Sequence, residues 1–220
     1  MMNIAIDGPA GAGKSTVAKG VAKKLGFIYV DTGAMFRAMA LYFLRNHLDV
    51  TKKEVLEQEV KNIEVTLKFE QGEQQVLLNG ENVGGLIRTE EVGNTASIIA
   101  VNQAIRSRLL EIQQKIAREN NVVMDGRDIG TCVLPNAQVK IYLTASSKER
   151  AKRRYEELLK KGVDCDINDI EEDIIKRDQA DMNREIAPLR QAEDAVLIDS
   201  SHMTIEEVVD AIIEQYDQKK

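Results

Sequence analysis

A glycine-rich stretch near the start of the chain has the residue types of a phosphate-binding loop. The 220-residue sequence reads IDGPAGAGKST from Ile6 to Thr16, and Gly8 to Ser15 satisfy the pattern G-x-x-x-x-G-K-[ST]. Glycines let the backbone curl so that successive N–H groups point at phosphate oxygens. Lys14 is then expected to reach the β- and γ-phosphates, and the Ser15 hydroxyl to contact Mg²⁺.

The segments on either side of this loop predict the elements that a nucleotide site needs. Ile4–Ile6 is a short apolar run typical of a buried strand, and apolar residues then recur at spacing four from Val17 to Leu25, which predicts a helix over 14–25 that ends at Gly26. A glycine-rich turn without a ligand is the alternative, but the full pattern with these flanks favours a nucleoside triphosphate site. The predicted loop residues are Gly8, Pro9, Ala10, Gly11, Ala12, Gly13, Lys14, Ser15 and Thr16.

Composition limits the class of protein. The chain is 43% hydrophobic and 30% charged, with a net charge of −6 and a pI near 5.2, so we expect a globular protein that does not bind nucleic acid or a membrane. No apolar run reaches the ~20 residues of a membrane span, and no signal peptide is recognisable. Cys132 and Cys165 match no metal or disulfide spacing. We expect a monomer in the reducing cytoplasm.

Further along the chain, strand and helix patterns alternate. Strands are predicted at 27–30, 122–124, 139–143 and 195–198. Helices are predicted at 34–45 and 89–118, from 146 to a loop that begins at 161, from that loop to about 184, and from 204 onward. The helix over 89–118 is expected to break near Gly93 or Asn102. Ser146-x-x-Glu149 and Thr204-x-x-Glu207 are capping boxes. This alternation predicts an α/β fold with a five-stranded parallel sheet flanked by helices, which binds ligands at the carboxyl ends of its strands.

A different pattern interrupts the alternation. Apolar and polar residues take turns from Ile63 to Phe69, which is the period of a half-exposed strand. Gln71-Gly72 and Asn79-Gly80 have the composition of turns. We therefore predict a small antiparallel sheet inserted at about 62–87.

A second anion site is suggested by DTGAMFR, from Asp31 to Arg37, at a predicted strand-to-helix junction. A hydroxyl and a glycine at a helix start suit an anion, and Arg37 adds a bidentate donor one turn along. Simple helix capping with a surface arginine is the alternative. Asp7 and Asp125 each lie just after a different predicted strand, and both are candidates for the Mg²⁺ shell. The sequence does not choose between them.

Arginines at three more places could likewise either bind an anion or have a purely structural role. Arg127 follows a predicted strand, and the structural alternative for it is an ion pair with a nearby aspartate. Arg177, Asp181 and Arg184 have the spacing of one helical face, for which an ion-paired surface is the alternative. Two anionic substrates need more positive charge than Lys14 supplies, which favours binding roles. Three further arginines form either a solvated helical face or part of a lid over the triphosphate: Arg150, Arg153 and Arg154.

Six segments, in order along nearly the whole chain, resemble the bacterial cytidylate kinases, a family of nucleoside monophosphate kinases. They are IDGPAGAGKST, DTGAMFRAMA, IRTEEVGNTAS, DGRDIGT, VKIYLTASSKERAKRR and RDQADMNREIAPL. The resemblance implies a P-loop three-layer fold in a single kinase unit. The core would comprise about 1–35, 89–150 and 185–220, the monophosphate-binding region with its inserted sheet about 36–88, and a helical lid about 151–184.

The resemblance also implies roles for particular residues. Arg37, Arg127 and Arg184 would hold the acceptor phosphate, and Arg127 and Arg184 would act in catalysis with Lys14. Ser97, Arg106 and Asp128 would contact cytosine, where a carboxylate accepts from the amino group and an arginine donates to the ring acceptors. The remaining roles are Arg177 and Asp181 for the sugar, Thr32 for CMP and Arg153 for the donor adenine.

The predicted function is therefore transfer of the γ-phosphoryl group from ATP, with Mg²⁺, to CMP or dCMP. The partners would be these small molecules alone. A kinase of another small acceptor, UMP or AMP, is the enzymatic alternative. A nucleotide-driven switch or binding protein is the alternative from another class, but it would leave the second set of arginines without a role.

Overall fold

The computed structural model describes residues 1–70 and 73–220 and contains eight strands and eight α-helices within those ranges. In chain order the strands are β1 (Asn3–Asp7), β2 (Ile28–Asp31), β3 (Val65–Glu70), β4 (Glu73–Leu78), β5 (Glu81–Asn82), β6 (Val122–Gly126), β7 (Val139–Thr144) and β8 (Val196–Asp199). The α-helices are α1 (Lys14–Leu25), α2 (Thr32–Arg45), α3 (Lys53–Glu59), α4 (Glu90–Ile99), α5 (Gln103–Glu119), α6 (Ser147–Lys160), α7 (Ile167–Asn183) and α8 (Ile205–Asp217). A 3₁₀ turn lies at Val60–Asn62 and a five-residue π-helical turn at Ile129–Val133.

The larger sheet has five parallel strands in the order β2-β6-β1-β7-β8, and helices flank it. In its register Ile4 of β1 lies opposite Val139 of β7, and Ile141 of β7 lies opposite Val196 of β8. Strands β1, β6 and β7 are almost entirely buried, as expected of a parallel sheet covered on both faces. The predicted α/β fold class is confirmed.

The predicted inserted sheet is also confirmed. Strands β3, β4 and β5 form a separate antiparallel sheet, with Val65 opposite Leu78 and Leu77 opposite Asn82. The expected turn at Asn79-Gly80 joins β4 to β5, and Asn79 has a positive φ. The other expected turn, Gln71-Gly72, lies outside the described residues.

Contacts within the chain define two compact units, one of Met1 with Phe27–Val122 and the other of Met2–Gly26 with Val123–Lys220. In the first, one face of α2 packs into a core with the inserted sheet and with α4 and α5; its fully buried members include Met35, Met39, Phe43, Ile63, Ile87, Ile99 and Leu109. In the second, buried members include Ile4, Ile6, Val21, Met124, Leu143 and Ile212. The predicted core, monophosphate region and lid remain a prediction.

Local sequence signals explain where several helices begin and end. Helix α1 has the predicted bounds, and Gly26 takes the left-handed conformation that ends it. The helical stretch after Thr89 breaks at Asn102, whose side chain accepts from the N–H groups of Ala104 and Ile105 and so caps α5. Gly93, the other expected break, lies inside α4.

One of the two predicted capping boxes is complete. Thr204 and Glu207 exchange both hydrogen bonds at the start of α8. At the start of α6 the Ser146 side chain accepts from the Glu149 N–H at 3.2 Å, but the Ser146 N–H donates to the hydroxyl of Ser201 instead. The prediction of a full box there is wrong because another partner satisfies that donor. In the described part of the chain, no helix is long and apolar enough to span a membrane.

Candidate active site

The glycine-rich loop between β1 and α1 has the backbone of a phosphate-binding loop. Gly8 has a φ of 150°, and a Cβ atom there would lie 1.9 Å from the carbonyl oxygen of Leu143 on β7. No side chain fits so close to a neighbouring strand, so this position requires glycine. The loop is thereby held against the middle of the parallel sheet.

Lys14, the first residue of α1, folds back over the loop. Its Nζ donates to the carbonyl oxygen of Pro9 at 2.7 Å, and its side chain is buried. Burial, with the nearby positive charge of Arg127, lowers the pKa of Lys14 to about 7. An anion beside Lys14 would favour its charged form and so would raise this pKa.

Ser15 and Asp125 bring a hydroxyl and a carboxylate together next to the loop. The Ser15 Oγ donates to Oδ2 of Asp125 at 3.0 Å. Asp125 is buried near the end of β6. Oxygen donors of this kind suit Mg²⁺, which P-loop proteins hold through a hydroxyl and a strand-end aspartate.

Asp7, the other candidate for the Mg²⁺ shell, has different partners. Its two oxygens accept from the N–H groups of Ile129 and Gly130, each at 2.7 Å, and burial raises its pKa to about 6. These bonds fix the start of the π-helical turn that follows Arg127 and Asp128. Asp7 therefore orients that segment, which leaves Asp125, beside the Ser15 hydroxyl, as the better placed of the two candidates for a metal shell.

Four of the predicted acceptor-binding residues form one ion-paired cluster. Arg127 Nε donates to Asp181 at 2.8 Å, Arg184 Nη2 lies 3.3 Å from Asp128 Oδ1, and Arg184 Nη1 lies 3.7 Å from Asp181 Oδ1. The side chains of Asp128 and Arg184 are only 8% and 7% exposed. A solvated surface face, the alternative left open by the sequence, does not describe residues buried to this degree.

The helix that carries part of this cluster ends close to the predicted position, at about residue 184. Helix α7 ends at Asn183, and Arg184 has an extended backbone with ψ of 142°. The break turns Arg184 toward Asp128, while Arg177 is exposed on α7. The idea that Arg177, Asp181 and Arg184 share one helical face is therefore wrong for Arg184.

The three arginines of α6 have three different environments. Arg153 donates to the carbonyl oxygen of Ser200 at 2.7 Å and approaches the loop at Gly13. Arg154 is exposed and pairs with Glu157 one turn along, which matches the solvated alternative. Arg150 matches neither alternative.

Arg150 is a buried connector between three segments. It pairs with Asp178 of α7 at 2.7 Å, donates to the carbonyl oxygen of Ala10 in the loop at 3.0 Å, and donates to that of Ala145 at 2.8 Å. Its side chain is 7% exposed. Arg150 therefore holds the loop backbone and is not placed to contact a nucleotide from a mobile lid.

The other predicted acceptor residues belong to the unit of Phe27–Val122. Arg37 lies 3.1 Å from Asp31 Oδ2, next to Thr32, which is buried at the start of α2. Arg106 lies over the ring of Phe36 at 5.7 Å. Ser97 is exposed on α4, and its hydroxyl donates to the carbonyl oxygen of Gly93 at 3.2 Å.

Comparison with known proteins agrees with this geometry. The family model described as cytidylate kinase matches residues 4–218. The chain belongs to the cytidylate kinase family. It is 50% identical over 218 residues to the cytidylate kinase of Bacillus subtilis (strain 168), with 99% of this chain and 97% of that relative covered. It is 49% identical over 215 residues to the cytidylate kinase of Caldicellulosiruptor bescii, with coverage of 98% and 95%.

Solved structures show the same fold in distant proteins. An uncharacterized protein from Eubacterium ventriosum aligns with a TM-score of 0.56 at 15% identity, covering 99% of both chains. A shikimate kinase from Bacteroides thetaiotaomicron aligns with a TM-score of 0.50 at 16% identity, covering 98% of both chains. At these identities the likeness concerns the fold, which this member of the cytidylate kinase family shares with other P-loop kinases.

The sequence analysis named Asp7 and Arg150 as candidates but did not predict the backbone contacts that they make. Asp7 was visible as a strand-end carboxylate, but its backbone partners lie more than a hundred residues away. Arg150 stood beside two other arginines of similar spacing, so its burial had no local signal. Both residues act on backbone atoms, which a sequence pattern does not display.

Proposed function

We propose that the protein transfers the γ-phosphoryl group of ATP to CMP or dCMP, giving ADP and CDP or dCDP. Membership of the cytidylate kinase family supports this. The observation that carries it is the ion-paired cluster of Arg127, Asp128, Asp181 and Arg184, in which Asp128 and Arg184 are buried. Arg127 of this cluster lies close enough to Lys14 to lower the pKa of Lys14. A set of cations beside a triphosphate loop is what a second phosphorylated substrate requires.

The reaction is a direct in-line transfer. A phosphate oxygen of the acceptor attacks the γ-phosphorus, and the bond from that phosphorus to the bridging oxygen of ADP breaks. The acceptor oxygen is already ionised near neutral pH, so no strong general base is needed. Positioning and charge neutralisation carry the rate enhancement.

The loop residues hold the donor in this scheme. Lys14 exchanges its bond with the Pro9 carbonyl for the β- and γ-phosphates, and the loop N–H groups contact the phosphate oxygens. Ser15 and Asp125 would hold Mg²⁺, which would supply positive charge to offset that of the transferring phosphoryl group. Arg153, which approaches the loop at Gly13, would contact the donor adenine.

The acceptor is held by both sets of arginines in this proposal. Arg37, Arg127 and Arg184 contact its phosphate, Arg177 and Asp181 its sugar, and Thr32, Ser97 and Arg106 line the rest of the site. Asp128 accepts from the cytosine amino group. A carboxylate has about four acceptor positions, so its ion pair with Arg184 is compatible with that contact.

Rates of ADP release with CMP, dCMP, UMP and AMP test this proposal. We expect CMP and dCMP to support rapid turnover, and UMP and AMP to be slower. Fast turnover of UMP or AMP but not CMP would reassign the acceptor. ATP hydrolysis at the same rate with or without every acceptor would contradict a kinase and favour a nucleotide-driven switch.

A further inference from the structure

A side chain of the inserted sheet forms hydrogen bonds with the backbone just before helix α2. Gln74 lies on β4, and its Oε1 accepts from the backbone N–H of Asp31 at 2.8 Å. Its Nε2 lies 3.5 Å from the carbonyl oxygen of Asp31. The amide of Gln74 thus meets both backbone polar groups of the residue that ends β2.

Asp31 in turn sets the direction of Arg37. Its Oδ1 accepts from the N–H of Ala34 at 2.8 Å, which caps α2, and its Oδ2 pairs with Arg37 at 3.1 Å. The Asp31 side chain is 13% exposed and the Arg37 side chain 24%. One carboxylate therefore fixes both the helix start and the guanidinium.

The packing around this pair leaves little freedom. A Cβ atom at Gly33 would lie 3.1 Å from Arg37 Nη1 and 3.2 Å from Asp31 Oδ1. Among the residues that the structure describes, no partner bonds to the buried Nε of Arg37. The contact with Asp31 is thus the ion pair that orients this guanidinium.

We infer that Gln74 is a positioning residue for the acceptor phosphate, acting through Asp31 on Arg37. This inference rests on the proposed role of Arg37 in holding that phosphate. A displaced Asp31 backbone moves its carboxylate, and a misdirected guanidinium loses one of its two bonds to a phosphate. Through Gln74, the inserted sheet then contributes to binding of the acceptor.

The next residue provides a matched control. Successive side chains of a strand point to opposite faces, and Gln75 donates to Glu70 at 3.0 Å and accepts from Asn82 at 3.4 Å. Gln75 and Gln74 are the same residue type on the same strand. Gln74→Met and Gln75→Met both keep the side-chain length and remove the amide.

Steady-state kinetics of these two variants, of Arg37→Ala and of the double variant Gln74→Met/Arg37→Ala test the inference. We expect Gln74→Met to raise KM for CMP about threefold to tenfold, the effect of one lost hydrogen bond, with KM for ATP unchanged. Gln75→Met should leave both values at the wild-type level. In the Arg37→Ala background, Gln74→Met should have no further effect on KM for CMP.

The outcomes separate this inference from the proposed function. If Arg37→Ala raises KM for CMP and Gln74→Met does not, the role of Gln74 is wrong while the acceptor site stands. An added effect of Gln74→Met in the Arg37→Ala background also overturns it. If Arg37→Ala leaves KM for CMP unchanged, Arg37 does not bind the acceptor and both assignments fail. KM does not depend on the concentration of active enzyme, so partial misfolding cannot mimic the expected result.

Discussion

The buried pair of Arg150 and Asp178 should behave very differently when one partner is removed than when both are. The two side chains are 7% and 9% exposed and 2.7 Å apart. Asp178→Ala leaves a guanidinium without its carboxylate in a desolvated position, which costs about 3–5 kcal/mol of unfolding free energy. Arg150→Met leaves the Asp178 carboxylate unpaired and removes a donor from the Ala10 and Ala145 carbonyls, so we expect a loss of about the same size.

The double variant Arg150→Met/Asp178→Ala should lose much less than the sum of the two. It leaves no buried charge, and the second oxygen of Asp178, which has no hydrogen-bond partner among the described residues, disappears with it. We expect a total loss of about 3 kcal/mol against a sum of about 6–10 kcal/mol.

Urea unfolding followed by circular dichroism measures these differences, provided that the slope m stays constant. Arg154→Met is the control from the same helix, because Arg154 forms an exposed pair with Glu157 and should cost about 0–0.5 kcal/mol. The single variants should also raise KM for ATP, since Arg150 holds the Ala10 carbonyl. Additive losses in the double variant, or a loss below about 1 kcal/mol in Arg150→Met, would refute this reasoning.

Four further substitutions test the site. Lys14→Ala should reduce kcat on the order of 10²-fold or more while the fold survives, by analogy with the loss of one preorganised donor; a near-normal kcat in the ADP-release assay would contradict a catalytic lysine. Arg127→Ala should raise KM for CMP more than KM for ATP, because each lost charge-assisted bond costs about 1.5–3 kcal/mol of binding free energy for the acceptor. Equal increases in the two KM values would indicate a structural role. Asp128→Ala should lower the ratio of kcat/KM for CMP to that for UMP about tenfold to a hundredfold; a parallel fall of both would return Asp128 to the role of a partner for an arginine. Asp7→Asn should change the pH dependence of stability, because folding raises the pKa of Asp7 from 3.8 to about 6. The stabilisation from protonated Asp7 is full below pH 3.8 and is lost as pH rises to about 6, so urea unfolding should show the wild type losing about 3 kcal/mol relative to the variant over this range. A constant difference between the two proteins across this range would contradict the prediction.

Much of the fold was predictable because its signals are local. Helix α1 begins and ends where the glycine loop and Gly26 place it, and the inserted sheet follows from alternation between Ile63 and Phe69. The π-helical turn at Ile129–Val133 was not predictable, since the N–H groups that begin it are held by Asp7 from the other end of the chain. Helix α3, a short helix with only Leu56 buried, was missed because it has almost no apolar periodicity.

The candidate site divides in the same way. The loop from Gly8 to Thr16 matches a motif whose fixed spacing indicates phosphate binding, so the sequence alone was sufficient to predict it. Arg127 and Arg184 were identified as cations, but their exchange of partners with Asp128 and Asp181 depends on the end of α7 at Asn183. The helix was predicted to end at about Arg184, but the direction that the extended backbone of Arg184 then takes has no signal in the residues around it.

The nested order of the two units has a consequence for synthesis on the ribosome. Strand β1, which leads into the phosphate loop, pairs with β7. Ile4 therefore cannot pair with Val139 until 135 further residues have been synthesised. At ~5–20 residues per second, synthesis of these residues takes roughly 7 to 27 seconds. The unit of Phe27–Val122 emerges complete in the meantime and has its own core. The nascent chain must therefore keep its first strand unpaired with β7, and its nucleotide loop without the Leu143 carbonyl that shapes it, until well over half of the protein has been translated.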